Sequence, residues 1–170
     1  MIKYLTGNVC NSDVDGLKIL CHIVNSDGAW GSGVVIPIGN KWPLVRNAYI
    51  DWYQSTTHSC DFYDVSVPWL LGEVQFIQAD KDTIVANMLG QKSPGFYETI
   101  NGRVWPPIRL EAVEECMHRV AQFAKDRKAT IIAPWFGTLR AGSDKATIKA
   151  MIERIWADCD VVMYEFEEKK

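Results

Sequence analysis

Short apolar and β-branched segments alternate along this chain with longer stretches of helical periodicity, and that alternation limits its possible folds more than any other feature. Strand-like segments are Ile2–Leu5, Ile19–Val24, Glu73–Ile77, Thr83–Met88, Thr130–Pro134 and Val161–Phe166, several of them ending at Gly, Asp or Pro. After Trp42-Pro43, the residues Val45, Ala48, Tyr49 and Trp52 recur at helical spacing, and Pro43 suits a first turn. Leu110, Val113, Met117, Val120, Ala121 and Ala124 form a second apolar stripe, with Glu111, Glu114, Glu115 and Arg119 outside it. That helix is expected to start after Pro106-Pro107 and to end near Asp126. Ile148, Met151, Ile152 and Ile155 form the third stripe, which Ser143 or Asp144 can cap. The expectation is an α/β fold, a mixed central sheet sandwiched between helices.

At 170 residues the chain is sized for one domain, expected over residues 1–166, with Glu167-Glu168-Lys169-Lys170 as a solvated tail. Apolar runs such as Val34–Ile38 fall far short of the ~18 to 20 residues that span a bilayer, so no membrane partner is expected. Met1-Ile2-Lys3-Tyr4 lacks the order of a signal peptide. Five cysteines without a CxxC pair fit reduced thiols and a cytoplasmic setting. A net charge of −3 with no basic cluster argues against general nucleic-acid binding but leaves an anionic small ligand open. The segment from Gln54 to Leu71 is the least regular. Its His58, Cys60, Asp61 and Asp64 invite a metal reading, but no partner pair with structural-zinc spacing exists elsewhere, so a surface loop and no metal are expected.

Three glycine-containing loops follow strand-like segments, where ligands usually bind in α/β sheets. The first, Asn25-Ser26-Asp27-Gly28-Ala29-Trp30-Gly31-Ser32-Gly33-Val34, has GxxGxG spacing. It is neither GxGxxG nor a P-loop, which argues against a standard dinucleotide fold and a nucleotide triphosphatase. The second, Trp135 to Asp144, leads directly into the third helix and carries Arg140. Successive N–H groups in such a turn can hold an anion. The third, Asn87 to Gly95, offers Asn87 and Gln91. Two such loops beside one cleft suit a ligand with a central diphosphate.

At these loops the chain resembles the macro domain family, whose members bind ADP-ribose. Thr6-Gly7-Asn8-Val9 is similar to the family's opening segment, and His22-Ile23-Val24-Asn25 through Gly28-Ala29-Trp30-Gly31-Ser32-Gly33 to its distal-ribose loop. Lys41-Trp42-Pro43, Tyr49, Leu71-Gly72-Glu73-Val74, Val85-Ala86-Asn87-Met88, Gln91 and Pro107-Ile108-Arg109 follow in the family's order. Gly137 to Asp144 resembles the second phosphate loop, and Val162-Met163-Tyr164 the last strand. The pattern His-x-x-Asn, then Gly-x-Trp-Gly-x-Gly, is most similar to the ADP-ribose-1″-phosphate phosphatases of the family. Where the branch that removes ADP-ribose from macromolecules has a lysine and an aspartate, this chain aligns Gln91 and Ala141, with Lys92 one residue away.

The resemblance implies that Gly31, Ser32, Gly33 and Val34 hold the distal phosphate and ribose, and that Gly137, Thr138, Leu139, Arg140, Ala141 and Gly142 hold the diphosphate. Asn8, Val9 and Tyr164 would meet adenine, with Phe166 as an alternative to Tyr164, while Asn25, Asn87 and Gln91 would stand near ribose and Trp30 would wall the cleft. His22 is the expected proton carrier, with Asn25 also in the catalytic set and Asp27 and Asp144 as secondary candidates; a strand histidine is otherwise commonly a core residue. The implied ligand is ADP-ribose or its 1″-phosphate, with no cofactor. A monomer is the simplest expectation. The alternatives are an ADP-ribosyl hydrolase acting on protein or nucleic acid, and a non-catalytic reader. Three residues depart from the family: Asn8 replaces an aspartate, Leu139 replaces a glycine, and Pro37 falls where relatives have a helix.

Overall fold

The computed structural model describes residues 1–55, 57–59 and 66–166. In chain order its elements are β1 (Ile2–Thr6), β2 (Lys18–Asn25), α1 (Val35–Lys41), α2 (Pro43–Ser55), β3 (Thr57–Ser59) and β4 (Ser66–Pro68). There follow β5 (Val74–Asp80), β6 (Thr83–Gln91), β7 (Glu98–Ile100), β8 (Arg103–Trp105), α3 (Leu110–Arg127), β9 (Thr130–Pro134), α4 (Lys145–Ile155) and β10 (Val161–Glu165). The main sheet runs β1-β10-β9-β2-β6-β5, parallel throughout except for antiparallel β5. It is the mixed, helix-covered sheet that the alternation of segments predicts.

Parallel strands covered on both faces must be apolar on both, which is why Ile19 to Val24 lacks a polar alternation. On one face Ile19, Cys21, Ala86, Met88, Ile131 and Ala133 pack with the stripes of α3 and α4. On the other, Leu20, Val85, Ile132 and Val162 meet Ile38, Trp42 and Val45. Tyr49 and Trp52 of α2 continue that layer over Val24 and Leu89. Asp144 caps α4 by accepting the Thr147 N–H at 2.7 Å.

Helix α1 is too short for its stripe to show by periodicity, since only Val35 and Ile38 are buried. Pro37 is its third residue, where the missing N–H has no intrahelical partner to lose. The β7–β8 hairpin adds a pair of strands outside the six expected, and its turn is Asn101-Gly102 with φ of 51° and 78°, the left-handed pair that a tight hairpin requires. No helix among the described residues is long and apolar enough to cross a membrane. Cys10, Cys21, Cys116 and Cys159 are free thiols. The side chains of His58, Cys60, Asp61 and Asp64, and the tail from Glu167, lie outside the described residues.

Candidate functional site

The C-terminal ends of β2, β6 and β9 open into one cleft of about 250 Å³. The first and second glycine loops both line it: Gly31 to Val35 on one side and Pro134 to Ala141 on the other. Arg140 ties the sides together, its Nη1 donating to Ser32 Oγ at 3.4 Å. The third loop contributes Gln91 and Pro94. It starts at Lys92 rather than Asn87, because the pairing of β2 with β6 runs on to Asn25 opposite Gln91.

Asn25 shapes the first loop. Its Oδ1 accepts the N–H groups of Asp27 and Ala29, both at 3.1 Å, and its Nδ2 donates to Ala29 O at 3.0 Å. The side chain expected at the ribose lines the cleft and also holds the turn, and its carbonyl takes the Tyr49 hydroxyl at 2.6 Å. Asp27 is exposed and does not line the cleft.

His22 lies in the cleft lining yet is wholly buried. Its Nε2 is 2.5 Å from Asn87 Oδ1, and Trp30 stands edge-on to the ring with centroids 5.5 Å apart. The Trp30 Nε1 edge packs so closely on Gly39 that a Cβ there would be 2.8 Å away. Burial lowers the His22 pKa from 6.5 to about 4, opposed in part by the Asn87 bond, so the ring is neutral at pH 7.

This has a consequence for stability. Unfolded, the imidazole protonates near pH 6.5; folded, it does so only near 4. The stability gained by burying a neutral ring is complete above 6.5 and is lost as pH falls toward 4, by up to about 1.4 kcal/mol per pH unit. Urea unfolding at about pH 7, 6 and 5 is expected to show this slope in the wild type and a flatter one in His22→Gln. Equal slopes would mean that His22 is not held neutral.

Asn87 is buried within the sheet, not turned to the cleft. Asn8 and Val9 do not line the cleft: Asn8 Oδ1 accepts the Cys10 N–H at 2.9 Å and Val9 is core. Tyr164 is buried too, its hydroxyl 2.6 Å from Ser12 Oγ. Gly142 ends the second turn with φ of 96°, where a Cβ would lie 2.5 Å from Pro106. Pro94, Pro134, Trp135 and Phe136 line the cleft without having been singled out. The sequence signal for the last three was their place directly at the end of a strand.

Gln91 and Ala141 both line the cleft, whereas Lys92 does not. Leu139, which the resemblance sets opposite a glycine, takes a left-handed φ of 55° and is 90% exposed at the cleft rim. A residue with a Cβ loses roughly 1 kcal/mol in that conformation. Leu139→Gly is therefore expected to raise the urea midpoint by an amount equivalent to about 1 kcal/mol; a lower midpoint would contradict the strain.

No family model matches the chain, and no curated protein matches it. Solved structures do. A protein of unknown function from Bacteroides thetaiotaomicron is 32% identical, with 97% of this chain and 98% of that chain covered at a TM-score of 0.82. A macrodomain protein from Streptomyces coelicolor is 25% identical over 99% of this chain and 100% of that one, with a TM-score of 0.75. Thermosipho africanus DarTG, solved in complex with ADP-ribose, shares the fold at 13% identity and a TM-score of 0.66, over 91% of this chain and 39% of that one. With two glycine turns lining one cleft at the strand ends, and an end-to-end match to a macrodomain protein, the chain has the macrodomain fold.

Proposed function

We propose that the chain binds ADP-ribose and releases phosphate from ADP-ribose 1″-phosphate. The observation that carries this reading is the convergence of the two glycine turns on one cleft, clasped by Arg140 and Ser32. Main-chain N–H groups from both sides suit a diphosphate, and the strand ends leave room for a sugar beyond it. The ADP-ribose complex of Thermosipho africanus DarTG supports the choice of ligand.

The choice of reaction rests on what lines the cleft. Gln91 and Ala141 stand where the de-ADP-ribosylating branch has its lysine and aspartate, and neither side chain can serve as a nucleophile or acid–base group at neutral pH. His22, a neutral imidazole in the cleft lining, is the group there able to take a proton from water. A second reading, a reader that binds without turnover, is favoured by the complete burial of that ring.

Calorimetry with ADP-ribose and a phosphate-release assay on ADP-ribose 1″-phosphate separate the two. Binding with release is the expected result. Binding without release leaves the reader, and loss of label from ADP-ribosylated protein or nucleic acid would instead select the hydrolase of macromolecular adducts.

A further inference from the structure

His22, Asn87 and Gln75 form a wholly buried polar row across β2, β6 and β5, in register and within an otherwise apolar layer. An apolar row of similar volume would avoid the cost of desolvating these groups, so packing alone does not call for it. The row also has a direction. Gln75 Nε2 donates to Ala48 O at 2.9 Å, and a carbonyl can only accept. Gln75 Oε1 is thereby the atom that faces Asn87, and it accepts from Asn87 Nδ2 at 2.9 Å. Asn87 Oδ1 is left opposite His22 Nε2 at 2.5 Å. Nε2 must then carry the ring proton, and Nδ1 keeps its lone pair. Nδ1 has no hydrogen-bond partner among the described residues. The two ring nitrogens diverge, so with Nε2 turned to β6, Nδ1 lies on the side away from β6; it is buried, in a residue that itself lines the cleft.

We propose that Gln75 and Asn87 are positioning residues for His22: an amide chain anchored on Ala48 O locks the Nε2–H tautomer and keeps Nδ1, buried at the cleft wall, as a bare proton acceptor. The use of that acceptor rests on the hydrolase reading; the tautomer does not. In the reaction, water gives a proton to Nδ1 as its oxygen bonds to phosphorus. The bond from phosphorus to the ribose 1″ oxygen breaks, its electron pair stays on that oxygen, and the imidazolium returns the proton there. Phosphate and ADP-ribose leave and His22 is neutral again. Throughout, Nε2–H keeps its bond to Asn87 Oδ1, which also steadies the transient cation.

The test is NMR of the intact protein labelled with ¹⁵N-histidine at neutral pH. Wild type is expected to show His22 with a protonated Nε2 and a bare Nδ1. Asn87→Leu and Gln75→Met are expected to mix the tautomers, the second because Asn87 is then free to turn its amide. Asn87→Asp keeps an acceptor opposite Nε2 and is expected to keep Nε2 protonated. In the phosphate assay, Asn87→Leu should lower kcat by about 10-fold or more with little change in KM. A wild-type spectrum with the proton on Nδ1 overturns the proposal, as does an Nε2–H form unchanged in both Asn87→Leu and Gln75→Met. The wild-type spectrum decides even where a variant fails to fold. The expected tautomers with no phosphate released by any form would uphold the row and remove the hydrolase reading.

Discussion

Replacing His22 with alanine is expected to slow phosphate release from ADP-ribose 1″-phosphate by roughly 100- to 10,000-fold, the range typical for loss of a general acid–base group. ADP-ribose affinity should change by no more than a few-fold, because the turns proposed to hold the ligand carry their own hydrogen bonds. Alanine also leaves Asn87 Oδ1 without the donor 2.5 Å away, at a cost of about 1–3 kcal/mol in stability. His22→Gln separates the two effects: it can still donate to Asn87 but cannot take a proton near neutral pH. If the glutamine variant turns over at the wild-type rate, His22 is a core residue and the proton goes elsewhere.

The second large effect is expected at Gly33. Its φ of 81° is strained for any side chain, but a Cβ there would meet nothing within 4 Å. Gly33→Val therefore distorts the turn without disturbing the core. Loss of two charge-assisted hydrogen bonds to the diphosphate, about 3 kcal/mol together, predicts at least about a 100-fold weaker affinity for ADP-ribose. Stability should fall by only about 1–2 kcal/mol. Gly137 is a poorer test, since a Cβ there would lie 2.6 Å from Ile108 Cδ1 and 2.9 Å from Ile148 Cδ1 and would damage fold and site together. Unchanged affinity in Gly33→Val, measured by calorimetry, would remove the first turn from the binding site.

These expectations show where the sequence speaks and where it is silent. The six strands of the main sheet were legible because buried parallel strands are written as short apolar runs with clear ends, as in Ile19–Val24. The helices after Pro43, Pro107 and Ser143 were legible from their stripes. Helix α1 was not, because seven residues carrying Pro37 and Gly39 hold no stripe. The two glycine loops could be read as turns, but that they face one another depends on β2 and β9 being neighbours, which topology decides. Leu139 could be recognised as a departure, while its left-handed backbone could not. The turn-closing role of Asn25 was not legible, because an asparagine near a ribose and one that closes its own turn look alike in sequence. Least legible was the row of Gln75, Asn87 and His22: their positions are far apart in the chain, and only strand register brings them together.

An amide-detected NMR titration of the wild-type protein with ADP-ribose probes the shared cleft most directly. Signals from residues 31–35 and 137–140 are expected to move together and to saturate at one ligand per chain. Movement confined to one of these turns, or to neither, would contradict the claim that both hold the same diphosphate.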